Sequence, residues 1–407
     1  MTSEFNNRYV SLDRETGYGT GATAEIFGEV DDESFAMSFD MLSRSDISRQ
    51  ISSKMQTGTE YSDGTINMAA QIDDFLGHVL HGVLPDDKRT LVGSAQLHTM
   101  KPASYALSAR TNASTFNVIN YPDSGVGPDT INADSYCTYQ GDVYRCITAI
   151  SSAEAFTAAK WYKIGYPSFT VRVGRESKEH TFTGMMVDSF SLTANVGEYV
   201  MVSADFVGRA ESAIAALDTP SFSGEALNAL HFANGNVYFN SDADGSYGSA
   251  TATIKGISLD ISMNRDTDNA YGLGSSTYST APASQLMEIT GSIDFNEVVY
   301  TTTTNAPTWA TLIQEGGLEY STAAQAYDDT SVMKLEFLEE GAATNKMVIE
   351  LFHLRFDAPT GAGVSGRDTN TMTVGFTALV NPVSGKSIEI SYQGTALSNS
   401  SYPQIGY

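Results

Sequence analysis

The sequence predicts an all-β protein with one short helix in each of two similar halves. Ser, Thr, Gly and Tyr are abundant, whereas charged residues make up only 17% of the chain. Short runs also alternate apolar and polar residues between turn-like clusters, which is typical of strands with one buried and one exposed face. The clearest of these runs lie at 35–39, 169–173, 190–192 and 200–206.

One segment of the first half departs from the strand period. After two aspartates, apolar residues recur at helical spacing over 75–84. Carboxylates at the start of the segment favour a helix, because they complement the positive end of the helix dipole. Gly77 and Gly82 would each destabilise this helix by about 1 kcal/mol relative to Ala, so we expect packing against a sheet to hold it.

The second half repeats the order of landmarks in the first. A polar stretch containing Arg and Asp follows the first strand in both halves, and a further strand and a helix come next. An internal duplication is the simplest explanation for this order. The corresponding segments are 257–261 for 35–39, 286–293 for 64–72, a helix at 307–315 for the first helix, 333–337 for 169–173, 354–356 for 190–192, and 372–376 for 200–206.

These landmarks predict four parts. Residues 1–29 form a flexible, Gly-rich N-terminal arm that could order on a neighbouring molecule. The first repeat domain comprises 30–120 and 166–215, and the second comprises 216–407. Residues 121–165 form a small insert, which begins with a linker-like segment and has no counterpart in the second half.

The insert contains both cysteines of the chain, Cys137 and Cys146. If Gly141 and Asp142 form a hairpin loop, the two cysteines face each other in a non-hydrogen-bonded pair, where side chains lie close together. A disulfide between them is therefore feasible. Two reduced, half-buried thiols are the alternative.

The charge balance is strongly acidic. The chain has 23 Lys and Arg against 48 Asp and Glu, a formal net charge of −25. This excess argues against a protein that grips phosphate backbones. Because the acidic residues are spread along the chain, they indicate a solvated surface or a surface facing a polyanion that must not stick. With no signal-peptide pattern and no apolar run of about 18 residues, we expect neither secretion nor membrane insertion.

The sequence lacks the residue patterns of an enzyme site. His78 and His81 lie on the predicted helix near Asp74, but a zinc site needs three or four converging ligands, so we expect a solvent-facing histidine pair and no metal. We predict no catalytic residue and no cofactor. An enzyme that cleaves polysaccharide with a carboxylate pair has only the abundance of Asp and Glu in its favour.

This layout resembles the tail tube (major tail) proteins of long, flexible-tailed viruses of the siphovirus type, in their duplicated form. The resemblance covers about 25–120 and 166–395 and lies in the order of elements, the acidic balance and the doubling. It implies two tandem β-sandwich or barrel domains. It also implies a structural virion protein: three chains form a pseudo-hexameric ring, and the rings stack into a hollow tube that delivers viral DNA without binding it specifically.

The same resemblance implies the partners and the location of the protein. Its partners would be further copies of itself and the tail terminator, tape measure and distal tail proteins, with viral DNA passing through the lumen. The protein would be made in the host cytoplasm and would reside in the tail tube of the virion.

The insert resembles the small chitin-binding-type carbohydrate modules. The resemblance rests on segment 139–146, a Tyr-containing hairpin, followed by a strand that starts at Trp161. Those modules stack sugar rings on exposed aromatic faces. The implied glycan-binding candidates are Tyr139, Tyr144, Trp161 and Tyr162. The alternative function is therefore a glycan-binding adhesin that recognises host-surface glycans, and the alternative for the insert is an ornament with Trp161 as its core.

Overall fold

The computed structural model describes residues 8–44, 51, 54–103, 119–122, 125–127, 130–222, 228–240, 254–295, 331–357, 372–381, 385–395 and 397. Within these ranges the protein is all-β with a single α-helix, which confirms the predicted fold class. The helix predicted at 307–315 lies outside the described residues.

The elements follow one another in four groups. The chain begins with β1 (Tyr9–Arg14), β2 (Phe27–Gly28), β3 (Asp32–Glu33), β4 (Ala36–Arg44), β5 (Lys54–Ala69), α1 (Asp74–Val83), β6 (Asp86–Val92) and β7 (Ala95–Lys101). The insert contains β8 (Ile119–Asn120), β9 (Tyr136–Tyr139), β10 (Asp142–Cys146) and β11 (Trp161–Ile164). The first half is completed by β12 (Phe169–Arg175), β13 (Lys178–Asn195), β14 (Met201–Gly208) and β15 (Glu211–Ala215).

The second half contains the remaining strands. They are β16 (Gly235–Asn240), β17 (Ile254–Ser262), β18 (Arg265–Asp266), β19 (Ala283–Ser284), β20 (Glu288–Phe295), β21 (Ser331–Glu339), β22 (Ala342–Phe356), β23 (Met372–Ala378) and β24 (Ile388–Gly394). Short 3₁₀ turns occur at Ala158–Lys160, Phe232–Asn234 and Asp268–Ala270.

The two halves share one order of strand pairing. In the first half, antiparallel pairs link β4 to β5, β5 to β14, β14 to β13 and β13 to β12. In the second half the same order links β17, β20, β23, β22 and β21. Outside this series, β1 adds to β12 as β16 adds to β21. This shared order supports the predicted duplication.

Two glycines show which residues of the two halves correspond to each other. Gly64 lies opposite Phe206, and Gly291 lies opposite Phe376. A Cβ at either glycine would overlap an aromatic side chain, so both positions require close approach of the strands. When these glycines are equated, Phe35 corresponds to Leu259. The sequence alignment of 35–39 with 257–261 was therefore wrong by two residues, because alternating apolar runs match equally well at every second position.

One hydrophobic core runs through both halves. Inward-facing residues alternate along each strand, as Val202, Ala204 and Phe206 do on β14. Strand β13 also pairs with β17, and β24 pairs with β7, so the sheet continues from one half into the other. The halves therefore bury apolar surface against each other as well as within themselves.

The described part of the N-terminal segment is ordered in this core. Strand β1 pairs with β12 and buries Val10 and Leu12, and the Glu15 carboxylate accepts a hydrogen bond from the Gly184 amide at 2.8 Å. The prediction of a flexible arm over 1–29 is thus wrong for residues 8–29. The short alternating run in β1 is itself a strand signal, and the neighbouring glycines concealed it.

The predicted helix is confirmed as α1. The Asp73 side chain accepts a hydrogen bond from the Leu76 amide at 2.9 Å and caps the first turn. Gly82 faces β13, and a Cβ there would overlap the Val187 side chain. This glycine is therefore needed for the helix to approach the sheet closely. Within the described residues, no helix is long and apolar enough to cross a membrane.

Candidate lining surface, sheet ends and insert

One side of the continuous sheet carries short polar side chains across seven consecutively paired strands of the described residues. Their order is β4, β5, β14, β13, β17, β20 and β23. Because side chains alternate between faces, residues two apart along a strand share a side. Beyond the small, polar and acidic residues grouped here, this side also carries Asp40, Leu42 and Arg44 on β4 and Met201 and Val207 on β14. We call the following set the polar face: Ala36, Ser38, Asp63, Thr65, Asn67, Ser189, Ser191, Thr193, Ser203, Asp205, Ser258, Asp260, Ser262, Glu288, Thr290, Ser292, Asp294, Thr373, Gly375 and Thr377.

All charged members of the polar face are carboxylates. No Lys or Arg belongs to the set, whereas five Asp and Glu do. Neighbouring hydroxyls orient some of these carboxylates: Thr65 and Ser189 donate to Asp205 at 2.5 and 2.6 Å, and Thr373 donates to Asp294 at 2.5 Å. Desolvation by burial raises the pKa of Asp260 from its ordinary value. The face therefore presents negative charge within a wall of short, uncharged side chains.

The polar face was not predicted from the sequence. A local signal was present, since the polar positions at 189–193 and 203–205 hold only Ser, Thr and Asp. Its meaning depends on which strands lie side by side, and Asp260 lies opposite Ser191, far away in the sequence. Alternation within one strand carries no information about that neighbour.

One end of this series of strands is an apolar edge. Strand β4 pairs with β5, and its apolar residues Met37, Phe39, Met41 and Leu42 are exposed, the first three on the side of the buried Phe35 and Leu42 on the other side. We call these four residues the β4 patch. The alternating pattern of 35–39 predicted a buried face, but only Phe35 is buried. An exposed edge strand with contiguous apolar side chains marks an interaction surface.

The four predicted glycan-binding aromatics have different environments. Trp161 is buried in the core of the insert with Tyr121, and Tyr162 is buried against α1. Neither presents a face to a sugar ring, so the assignment of these two residues is corrected. Tyr139 and Tyr144 are partly exposed and pack against the Phe156 ring, with centroid distances of 4.0 and 5.0 Å. A small module needs its largest aromatics for its own core.

The insert hairpin has a different register from the one predicted. Gln140 and Gly141 form the loop with φ of 50° and 89°, as two-residue hairpin turns require. Cys137 therefore lies opposite Tyr144. The predicted pairing of Cys137 with Cys146 is wrong, because the loop lies one residue earlier than expected. Cys137 and Cys146 are both buried free thiols in the same cluster. Desolvation by burial raises the pKa of Cys137 to about 12.

A buried polar cluster joins the insert to the first half. Arg145 on β10 donates through Nε to Asp86 Oδ1 at 2.7 Å, and the Tyr136 hydroxyl donates to Asp86 Oδ2 at 2.6 Å. The Tyr162 hydroxyl lies 2.8 Å from His81 Nε2. Because the Arg145 and Asp86 side chains are almost fully buried, each requires the other as a charge partner. The insert is thus held against α1 and β6 through specific side chains.

The helix histidines are buried, contrary to the predicted solvent-facing pair. His78 Nδ1 donates to the Asp74 carbonyl at 2.7 Å, and His81 contacts the insert. Desolvation by burial lowers the pKa of His78 to about 4 and that of His81 well below its ordinary value. On the apparently polar side of α1, His81 contacts Tyr162 of the insert and His78 packs edge-on against Phe169 of β12, which the sequence did not reveal. In the described ranges, no group of three or more His, Cys, Asp or Glu could hold a metal ion.

Comparison with known proteins gives a match over most of the chain. A family model described as "Phage tail tube protein" matches residues 6–378, which include the insert and all of the second half up to the end of β23. A search of curated proteins found no match.

Proposed function

Because the chain belongs to the phage tail tube protein family, we propose that its copies join into rings, that the rings stack into a hollow tube, and that the polar face lines the lumen. The protein is a structural component of the virion tail, and its family is not a family of enzymes. The tube would conduct viral DNA from the particle into the host.

The polar face is the observation that carries this proposal. Duplex DNA passes freely only through a wall that neither binds phosphates nor obstructs the duplex. Carboxylates such as Asp205 and Asp260 repel a polyanion, and short Ser and Thr side chains leave the wall smooth. The opposite side of the same strands faces the hydrophobic core, so only this side is available to line a channel.

The duplicated pairing order supports three chains per ring. Each chain supplies two halves in which the strands pair in the same sequence, so three chains would supply six similar units. We further propose that the virus is of the siphovirus type and that the tail terminator, distal tail and tape measure proteins are the neighbours of the tube.

Negative-stain electron microscopy of the purified protein across a range of salt tests this proposal. Salt screens the repulsion between acidic copies, so we expect rings and then hollow tubes with threefold or pseudo-sixfold symmetry as ionic strength rises. Isolated particles at every salt concentration, or a tube whose lumen carries positive potential, would contradict it.

The adhesin alternative lacks an observation in its favour. Two of its four aromatic candidates, Trp161 and Tyr162, are buried, and the other two pack against Phe156. We propose that the insert is a surface module fixed to the outside of the tube. Saturable binding of the isolated full-length chain to a glycan array would restore the alternative.

A further inference from the structure

We propose that a second copy of this chain covers the β4 patch, and that it does so with the end of its own strand β22. The arrangement would repeat the junction that joins the two halves within a single chain. This inference rests on the proposed ring assembly and identifies the two sheet ends that form each contact between chains.

The junction within the chain is a run of antiparallel pairs between β13 and β17. Ser189 lies opposite Ser262, and Leu192 lies opposite Leu259. On the same side of β13, the pairing with β12 extends only to Met185. Strand β17 therefore takes over the edge of β13 where β12 ends, and the first strand of the second half completes the sheet of the first half.

Strand β4 is the counterpart of β17. With Gly64 equated to Gly291, the apolar series Phe35, Met37 and Phe39 corresponds to Leu259, Ile261 and Met263. In the second half these side chains are 0%, 1% and 0% exposed, whereas in the first half they are 1%, 38% and 55% exposed.

The difference in burial has a direct physical cause. Ile261 and Met263 lie where β17 meets the first half of the same chain, and the Met263 amide donates to the Asp188 carbonyl at 2.8 Å. Met37 and Phe39 have the same spacing and are also apolar, but among the described residues no second set of strands covers them as the first half covers Ile261 and Met263. A surface that matches the second half of another copy is therefore left uncovered.

The opposite end of the sheet provides the complementary position. Strand β22 is the counterpart of β13, and β21 occupies its edge only as far as Leu354. The Asp357 amide donates to the Gly375 carbonyl at 2.8 Å. Gly375 on β23 corresponds to Asp205 on β14, and Asp205 lies opposite Ser189. Asp357 therefore occupies the position of Ser189, at which the incoming strand begins.

Exposed apolar side chains also lie at this end. Leu379 and Val380 follow directly after β23 and are both exposed. They bury apolar surface against the incoming β4 of the neighbouring copy in the proposed contact.

The equivalences specify one contact. Within the chain, Ser262 lies opposite Ser189. Because Ser38 corresponds to Ser262 and Asp357 to Ser189, Ser38 of one copy is placed opposite Asp357 of the next. The contact joins two different ends of the chain, so it is heterologous and can repeat around a closed ring. Contacts within and between chains would then alternate, and the polar face would continue without interruption around the lumen.

Cysteine cross-linking tests this contact. The double variant Ser38→Cys, Asp357→Cys is assembled and mildly oxidised, and non-reducing electrophoresis is expected to show covalent dimers and trimers. An equal mixture of the two single variants should stop at dimers, because each chain then offers one reactive end. The control pair Ser38→Cys, Glu340→Cys also adds two cysteines, with one on an exposed turn after β21, and should give no ladder. Native Cys137 and Cys146 are buried.

The outcomes separate this inference from the proposed function. If the wild-type protein forms tubes but the Ser38→Cys, Asp357→Cys variant cross-links no more than the control pair, the proposed contact is wrong and the proposed tube still stands. A wild-type protein that stays monomeric at every salt concentration would overturn both.

A second pair of variants tests the β4 patch. Phe39→Asp should leave the chain folded, since Phe39 is exposed, but should abolish rings and tubes. Val126→Asp adds the same charge at an exposed apolar position of the insert and should assemble normally. Normal assembly of Phe39→Asp would contradict the proposed contact.

Discussion

Arg145 lies between the insert and the first half with its guanidinium bonded to Asp86 and to the Asp87 carbonyl. The sequence offered no sign of this role, because a lone Arg on a hairpin is usually solvated. The pair is almost completely buried, and the Tyr136 hydroxyl completes the hydrogen bonding of the Asp86 carboxylate. Such a pair contributes mainly through the cost of leaving one charge without the other.

Replacing Arg145 with Ala should destabilise the protein by about 3–5 kcal/mol, because Asp86 would remain buried without its charge partner. Urea unfolding at neutral pH measures the change. The matched control is Lys163→Ala, which removes the more exposed ion pair with Asp142 and should change stability by at most about 1 kcal/mol. Equal losses in the two variants would show that Arg145 has no special role.

The buried His78 should make stability depend on pH. Burial lowers its pKa to about 4, below the ordinary 6.5, so the unfolded chain takes up the proton first as pH falls. The free energy of unfolding is therefore unaffected by this group above about pH 6.5. It decreases as pH falls towards 4, by at most about 3 kcal/mol. The variant His78→Gln should lose this component of the pH dependence in urea unfolding. A His78 ring that titrates near pH 6.5 by NMR would contradict the assignment.

Helix α1 and strand β13 approach each other through Gly82. Local propensity disfavours a glycine within a helix, whereas the packing at this position excludes a Cβ. Tertiary contact decides which effect is larger, because the Val187 side chain is itself held in the core.

The variant Gly82→Ala should be destabilised by about 1–3 kcal/mol through overpacking, although Ala is the better helix former. Adding Val187→Ala removes the methyl group that the new Cβ would meet, so the double variant should be less destabilised than the sum of the single variants. Chemical unfolding of the four proteins gives the coupling. Additive losses would contradict a direct clash.

The acidic balance of the chain and the acidic character of the polar face are related. The formal net charge of −25 is a property of the whole chain and does not say where the charges lie. The sheet places carboxylates and no Lys or Arg within the polar face. Asp260 lies on β17, next to the junction between the halves, so it occupies the middle of this surface.

Tubes that contain Asp260→Lys should retain double-stranded DNA fragments at low salt, because one cation per chain would form a positive ring in the lumen. Retention should disappear as salt rises. Co-sedimentation of fluorescent DNA with tubes is the measurement. Tubes of Glu340→Lys carry the same change of charge outside the polar face and should retain no more DNA than wild type. Equal retention by both variants would place the polar face outside the lumen.

Several features could be predicted from the sequence because they have a local signal. Alternation with a period of two identified strands such as β12 and β14, and helical spacing with leading carboxylates identified α1. The repeated order of landmarks also predicts a duplication, which the shared order of strand pairing supports. These inferences need only residues within about ten positions of one another, or the order of such segments.

Other features were decided by tertiary structure alone. Strand register is set by contacts between distant segments, so the sequence misplaced Cys137 and Cys146 by one loop position and aligned Phe35 two residues away from its counterpart. The contact of His81 with Tyr162 depends on an insert that lies far along the chain. The polar face arises only when strands of both halves lie side by side. An amino-acid sequence specifies which side of a strand is polar, but only the folded sheet brings seven such sides together into one surface.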